Sequence, residues 1–101
     1  MNLSSEELAE ELKQHFKAIY KTSQKPAIVR FKKRREGGRI LNITFDHPAA
    51  EWPVVSYELM NSALLILHHA GLISYGANTV RLSDGLMQTG KLADPARDAK
   101  V

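Results

Sequence analysis

The 101-residue chain has no cysteine. That excludes a disulfide framework, a thiolate-ligated zinc site and a thiol nucleophile. It has no long apolar run either. The longest, Ala63 to Leu67, falls far short of the ~20 residues a membrane-spanning helix requires. No GxSxG, GxGxxG or GxxxxGK pattern occurs, so neither a nucleophile elbow nor a phosphate-cradling glycine loop is encoded. The early segment Ser4 to Glu11 is acidic, the opposite of a signal or transit peptide. These absences lead us to expect a cytoplasmic, non-enzymatic protein with no cofactor, no metal, no catalytic residue and no membrane partner.

What remains is the composition of an ordinary folded domain, with 44% hydrophobic and 25% charged residues. The length suits a single domain, expected over residues 1–90. Residues 91–101 are polar, contain Pro95 and lack apolar periodicity, which predicts a flexible tail. No internal repeat is present.

Ser4 and Glu7 form a capping-box pattern, flanked by Leu3 and Leu8 at the staple positions. Leu8, Leu12, Phe16 and Ile19 then recur on one face, predicting a helix over Ser5–Lys21. Pro26 bars its continuation. Two strands are expected at Ala27–Arg35 and Arg39–Phe45, joined through Glu36-Gly37-Gly38. A two-residue loop would pair Lys32 with Ile43 and mix charge into the apolar face. A three-residue loop with a bulge pairs Phe31 with Ile43, Val29 with Phe45 and Lys33 with Leu41, and it is the expected register. Its polar face holds Arg30, Lys32, Arg34, Asn42 and Thr44.

Ser56 is the expected N-cap of a second helix reaching about Ala70, with Gly71 as its stop. Leu59, Ala63, Ile66, Leu67 and Ala70 are its expected main apolar face, widened by Met60 and Leu64. Ile73–Tyr75 and Thr79–Leu82 predict a second hairpin around Gly76-Ala77-Asn78. A short turn within Ser83–Gly90 would pack Leu86 and Met87. The fold class is therefore α+β, in the order helix–hairpin–helix–hairpin, a small antiparallel sheet with two helices packed on one face.

Charge is the strongest functional signal. Between Lys25 and Arg39, seven bases stand against the single Glu36, a local charge of +6. The rest of the chain, with seven bases and ten acids, carries −3. Such polarity steers polyanions to the hairpin, although a charge run also guards an exposed strand edge against aggregation. The candidate contact residues are Arg30, Lys32, Lys33, Arg34, Arg35 and Arg39, with Asn42 and Thr44 as polar neighbours. Trp52, the only tryptophan, either plugs the open end of the sheet or stands as an interface anchor.

The run Leu64-Leu65-Ile66-Leu67-His68-His69-Ala70-Gly71-Leu72-Ile73, followed by the Tyr75–Arg81 hairpin, resembles the second half of a winged-helix module. That resemblance covers about a third of the chain and implies a helix reading the major groove beside a wing. Asn61, Ser62, His68 and His69 would be its polar readers, because the helix has no Lys or Arg. The short helix that family places before the recognition helix has no counterpart here. His68 and His69 are adjacent, so they point ~100° apart and lack the i,i+4 spacing of two ligands on one helix face. Asp46 and His47 are the one acid–base candidate, and the reading preferred for them is a turn before Pro48.

The leading expectation is a small basic accessory protein that neutralises nucleic-acid phosphates, on a duplex backbone, through its hairpin. The alternative is a protein–protein inhibitor or adaptor of mobile-element type, docking the same face on an acidic or nucleic-acid-binding protein. A winged-helix-like regulator is the lesser alternative. An open sheet edge, or the surplus apolar residues of the second helix, would allow a homodimer.

Overall fold

The structure, a computed structural model, describes residues 3–48 and 50–87. The expected tail at 91–101 lies outside them. The elements run α1 (Ser5–Thr22), β1 (Ile28–Glu36), β2 (Arg39–Phe45), α2 (Tyr57–His69), β3 (Ile73–Tyr75), β4 (Thr79–Leu82) and a 3-10 turn (Asp84–Met87). This is the expected α+β order. The four strands form one antiparallel sheet in the order β2-β1-β4-β3.

Local chemistry sets the helix ends. Ser4 Oγ accepts the Glu7 backbone N–H at 3.1 Å, and the Glu7 carboxylate accepts the Ser4 N–H at 3.0 Å. The bonds from Ser4, backbone first and hydroxyl second, hold the Glu7 carboxyl below the usual carboxylate range. Ser56 caps α2 by accepting from Leu59 N at 3.3 Å. At the other end Gly71 takes φ +77°, Leu72 N donates to Leu67 O and Gly71 N donates to His68 O. That is a Schellman stop, and glycine adopts its left-handed position without a Cβ clash.

One core joins both helices to one side of the sheet. Leu8, Leu12, Phe16 and Ile19 of α1 and Met60, Ala63, Leu64 and Leu67 of α2 close over Val29, Phe31, Phe45, Ile73, Val80 and Leu82. Burying a leucine fully stabilises by ~2 kcal/mol, so this layer dominates the stability. The apolar face of α2 is rotated from the expected one. Leu59 and Ile66 are only half-buried and Ala70 is exposed, whereas Met60 and Leu64 are fully buried. The helix is apolar over most of its girth, so periodicity alone does not say which side meets α1 and the sheet. Leu86 is buried as expected, but Met87 stands 41% exposed.

The first hairpin corrects the expected register. Its turn is the two-residue Gly37-Gly38, with φ +58° and +80°, and Glu36 pairs with Arg39. Both central residues at positive φ are the mark of a type I′ turn, whose twist matches the strands. The ladder then slips between Arg34 and Arg35, leaving Leu41 as the extra residue on β2. Beyond the bulge Lys33 pairs with Ile43, Lys32 with Thr44 and Phe31 with Phe45. The expected Phe31–Ile43 pairing is thus wrong by two residues. A two-residue shift keeps every side chain on its face, so the division into apolar and basic sides stands. The bulge achieves what the longer loop was expected to do. It restores the parity that a two-residue turn alone would have broken.

Candidate basic binding face

β1 is shared between two partners. Residues 28–30 pair with β4, while Phe31 to Glu36 pair with β2 alone. The distal hairpin therefore runs on as a two-stranded ribbon past the end of β4. Both helices lie on the Phe31 side, and no described element covers the opposite side. On that open side β1 presents Ile28, Arg30, Lys32 and Arg34, and β2 presents Asn42 and Thr44. β4 adds Thr79 and Arg81, and β3 adds Ser74.

Arg30, Lys32 and Arg34 stand in one row at two-residue intervals, ~6.8 Å apart along the strand. Arg81 pairs with Ile28 and so lies diagonal to Arg30, ~7–8 Å away by sheet geometry. Among the described residues, none of these four bases takes part in an ion pair or a side-chain hydrogen bond. All four are exposed. Four cations without ion-pair partners on one face generate a coherent positive field, opposed by Glu36 at the tip and by Asp84 beside Arg81. Asn42, opposite Arg34, is half-buried, with an amide oxygen that is closed to water and lacks a partner.

The other bases singled out in the sequence do not join this row. Lys33 pairs with Ile43 and shares the helix side of the ribbon with Arg35, while Arg39 flanks the turn beside Glu36. The hairpin therefore carries charge on both faces. Arg81 is the residue that sequence reasoning missed. The alternation Thr79-Val80-Arg81-Leu82 places it on a polar face, but only the pairing of β4 with β1 shows that the face is the same one.

Trp52 packs on the core side of the sheet, away from the open face. Its ring lies 4.6 Å from Phe45 and 5.7 Å from Phe16, half-buried against the core. Its indole N–H donates to the His47 carbonyl at 2.8 Å. Asp46 donates its backbone N–H to Arg30 O at 2.8 Å, and Asp46 and His47 lie in the link that leaves β2. His68 lies 3.2 Å through Nδ1 from Ile73 O, at the end of α2. No group of three or more potential metal ligands occurs among the described residues, nor is any described helix long and apolar enough to cross a membrane. The helix that resembles a recognition helix exposes Glu58, Ser62, Leu65, His68 and His69, and buries Met60, Ala63, Leu64 and Leu67.

Away from this face, Lys13 of α1 is fully buried, alone among the charged residues described. Its ammonium has no hydrogen-bond partner and stands 3.8 Å from Glu10 Oε1. Burial draws the amine below the usual lysine range, Lys17 adds to the shift, and Glu10 opposes it.

Comparison of the chain with protein-family models, with characterised proteins and with solved structures finds no match.

Proposed function

We propose that this protein binds nucleic-acid phosphates, without catalysis, through the open face of its sheet. The observation that carries the reading is the unpaired row of Arg30, Lys32 and Arg34, extended by Arg81 on a face that no described element covers. The spacing of alternate residues on a strand is comparable to that of successive phosphates on a polynucleotide. No aromatic side chain lies on this face, since Phe31, Phe45 and Tyr75 point into the core side. Base stacking is therefore unsupported, and contact with a duplex backbone fits better than single-strand recognition. Asn42 and Thr44 supply neutral contacts beside the row.

The test is a salt titration on random-sequence duplex. Four phosphate contacts give a log–log slope of roughly −3.6. Replacing Arg30, Lys32 and Arg34 by Gln should bring it to roughly −1, while Lys33→Gln with Arg35→Gln, on the other face, leaves it near the wild-type value. Equal losses from both variants, with both folded, would remove the face-specific reading.

A second reading, docking on an acidic protein surface, is favoured by one feature. Lys33 and Arg35 give the projecting ribbon charge on its second side, which suits insertion into an acidic cleft better than contact with one flat backbone. A protein that binds no nucleic acid even at low salt would support this reading.

A further inference from the structure

The basic row ends at a cleft of about 310 Å3, lined by Tyr20, Lys25, Ser74, Arg81, Ser83 and Asp84 together with three apolar residues. Clefts of this size accommodate small ligands. Arg81 and Asp84 both line it, yet they form no ion pair, and both are exposed. Ser83 Oγ accepts the Gly85 N–H at 3.1 Å, which leaves the hydroxyl proton to donate elsewhere. The Ser74 hydroxyl has no partner among the described residues. Lys25 is partly engaged: its ammonium donates to Tyr20 O and sits over the Tyr20 ring, at the cleft rim.

The cleft thus brings a cation, hydroxyl donors and an anionic acceptor into one lining. A plain anion site would not retain the carboxylate, because Asp84 repels a phosphate. A ligand with a phosphate at one end and hydroxyl donors at the other satisfies both. Guanidinium groups take phosphate oxygens in two parallel bonds, and a carboxylate is a good acceptor for ribose hydroxyls. We propose that this cleft is a ribonucleotide subsite. Arg81, with Ser74 and Ser83, holds the phosphate, and Asp84 accepts from the ribose hydroxyls. The 2′-hydroxyl is the group by which a protein tells RNA from DNA, so the cleft gives the basic face a preference for RNA. This inference rests on the nucleic-acid reading for its polymer partner, but the cleft itself is tested apart from the hairpin.

Amide chemical shifts of the whole chain, titrated with AMP and with 2′-deoxy-AMP, test it. AMP should move the signals of Ser74, Arg81, Ser83 and Asp84 and bind about tenfold tighter than 2′-deoxy-AMP, the effect of one hydrogen bond to a charged group. Asp84→Ala should equalise the two nucleotides, and Arg81→Gln should remove both. Duplex RNA should likewise outcompete duplex DNA of the same sequence for wild type but not for Asp84→Ala. AMP binding without a polymer preference would identify the free nucleotide as the occupant. Equal binding of AMP and 2′-deoxy-AMP, or AMP shifts that avoid the cleft, would overturn the proposal. Duplex binding with no effect at the cleft would overturn it while leaving the basic face intact. An AMP response in a chain that binds no duplex would do the reverse.

Discussion

Replacing Lys13 by methionine should stabilise the protein. The side chain lies one position past Leu12 and three before Phe16, at the margin of the α1 apolar stripe, and is 0% exposed. Its ammonium meets no hydrogen-bond acceptor, and the Glu10 carboxylate at 3.8 Å belongs to a side chain that is itself 39% exposed. A buried charge that lacks a hydrogen-bond partner and has only an exposed counter-charge is costly, and apolar replacements of similar volume often gain ~1–4 kcal/mol. The cover over the amine is shallow, so the lower part of that range applies, about 1–2 kcal/mol. Methionine preserves the length of the stem and its packing, whereas alanine would leave a void. For a domain of this size the gain corresponds to a rise in Tm of about 5–15 °C.

The pH dependence provides the sharper test. The folded chain releases the Lys13 proton at lower pH than the unfolded chain, whose lysines titrate near ~10.4. Between those two values the unfolded state binds more protons, so wild-type stability rises with pH through that window. Below it the full cost of the buried charge remains. The advantage of Lys13→Met, read from denaturant unfolding of both proteins side by side, should therefore be constant near neutrality and shrink as pH approaches 10. A destabilised methionine variant, or an advantage that does not change with pH, would refute the account of Lys13 as a buried ammonium only partly offset by Glu10.

Two further outcomes follow from the hairpin and from Trp52. Gly37→Ala and Gly38→Ala should each cost ~1–2 kcal/mol, since an added Cβ meets nothing within 4 Å and the penalty is that of positive φ alone. Gly37→Asn should be nearly neutral, because Asn-Gly is a favoured type I′ pair, and denaturant midpoints would distinguish the three. Trp52 packs on the helix side of the sheet, so its fluorescence emission should shift to the red on unfolding yet stay unchanged when duplex saturates the open face. A large emission change on binding would return Trp52 to the role of an interface anchor.

The sequence by itself determined whatever depends on a few neighbouring residues. Ser4 with Glu7, Ser56, and Gly71 fix helix ends because capping acts within one turn, and Gly37-Gly38 and Gly76-Ala77-Asn78 mark the two hairpins. Strand alternation separated Arg30, Lys32 and Arg34 from Phe31 and Val29, and that separation survived an error in register because a two-residue slip conserves faces. Tertiary structure decided the rest. The bulge at Leu41 arises where an ideal turn and a buried face demand different parities, a conflict visible only when both strands are in place. The rotation of α2 depends on which side meets α1 and the sheet, and Lys13 is buried by packing that no local pattern encodes. Arg81 reaches the basic row because β4 inserts beside β1, pairing residues about fifty positions apart. Pairings across such separations are governed by the global burial of apolar surface, which local propensity does not carry.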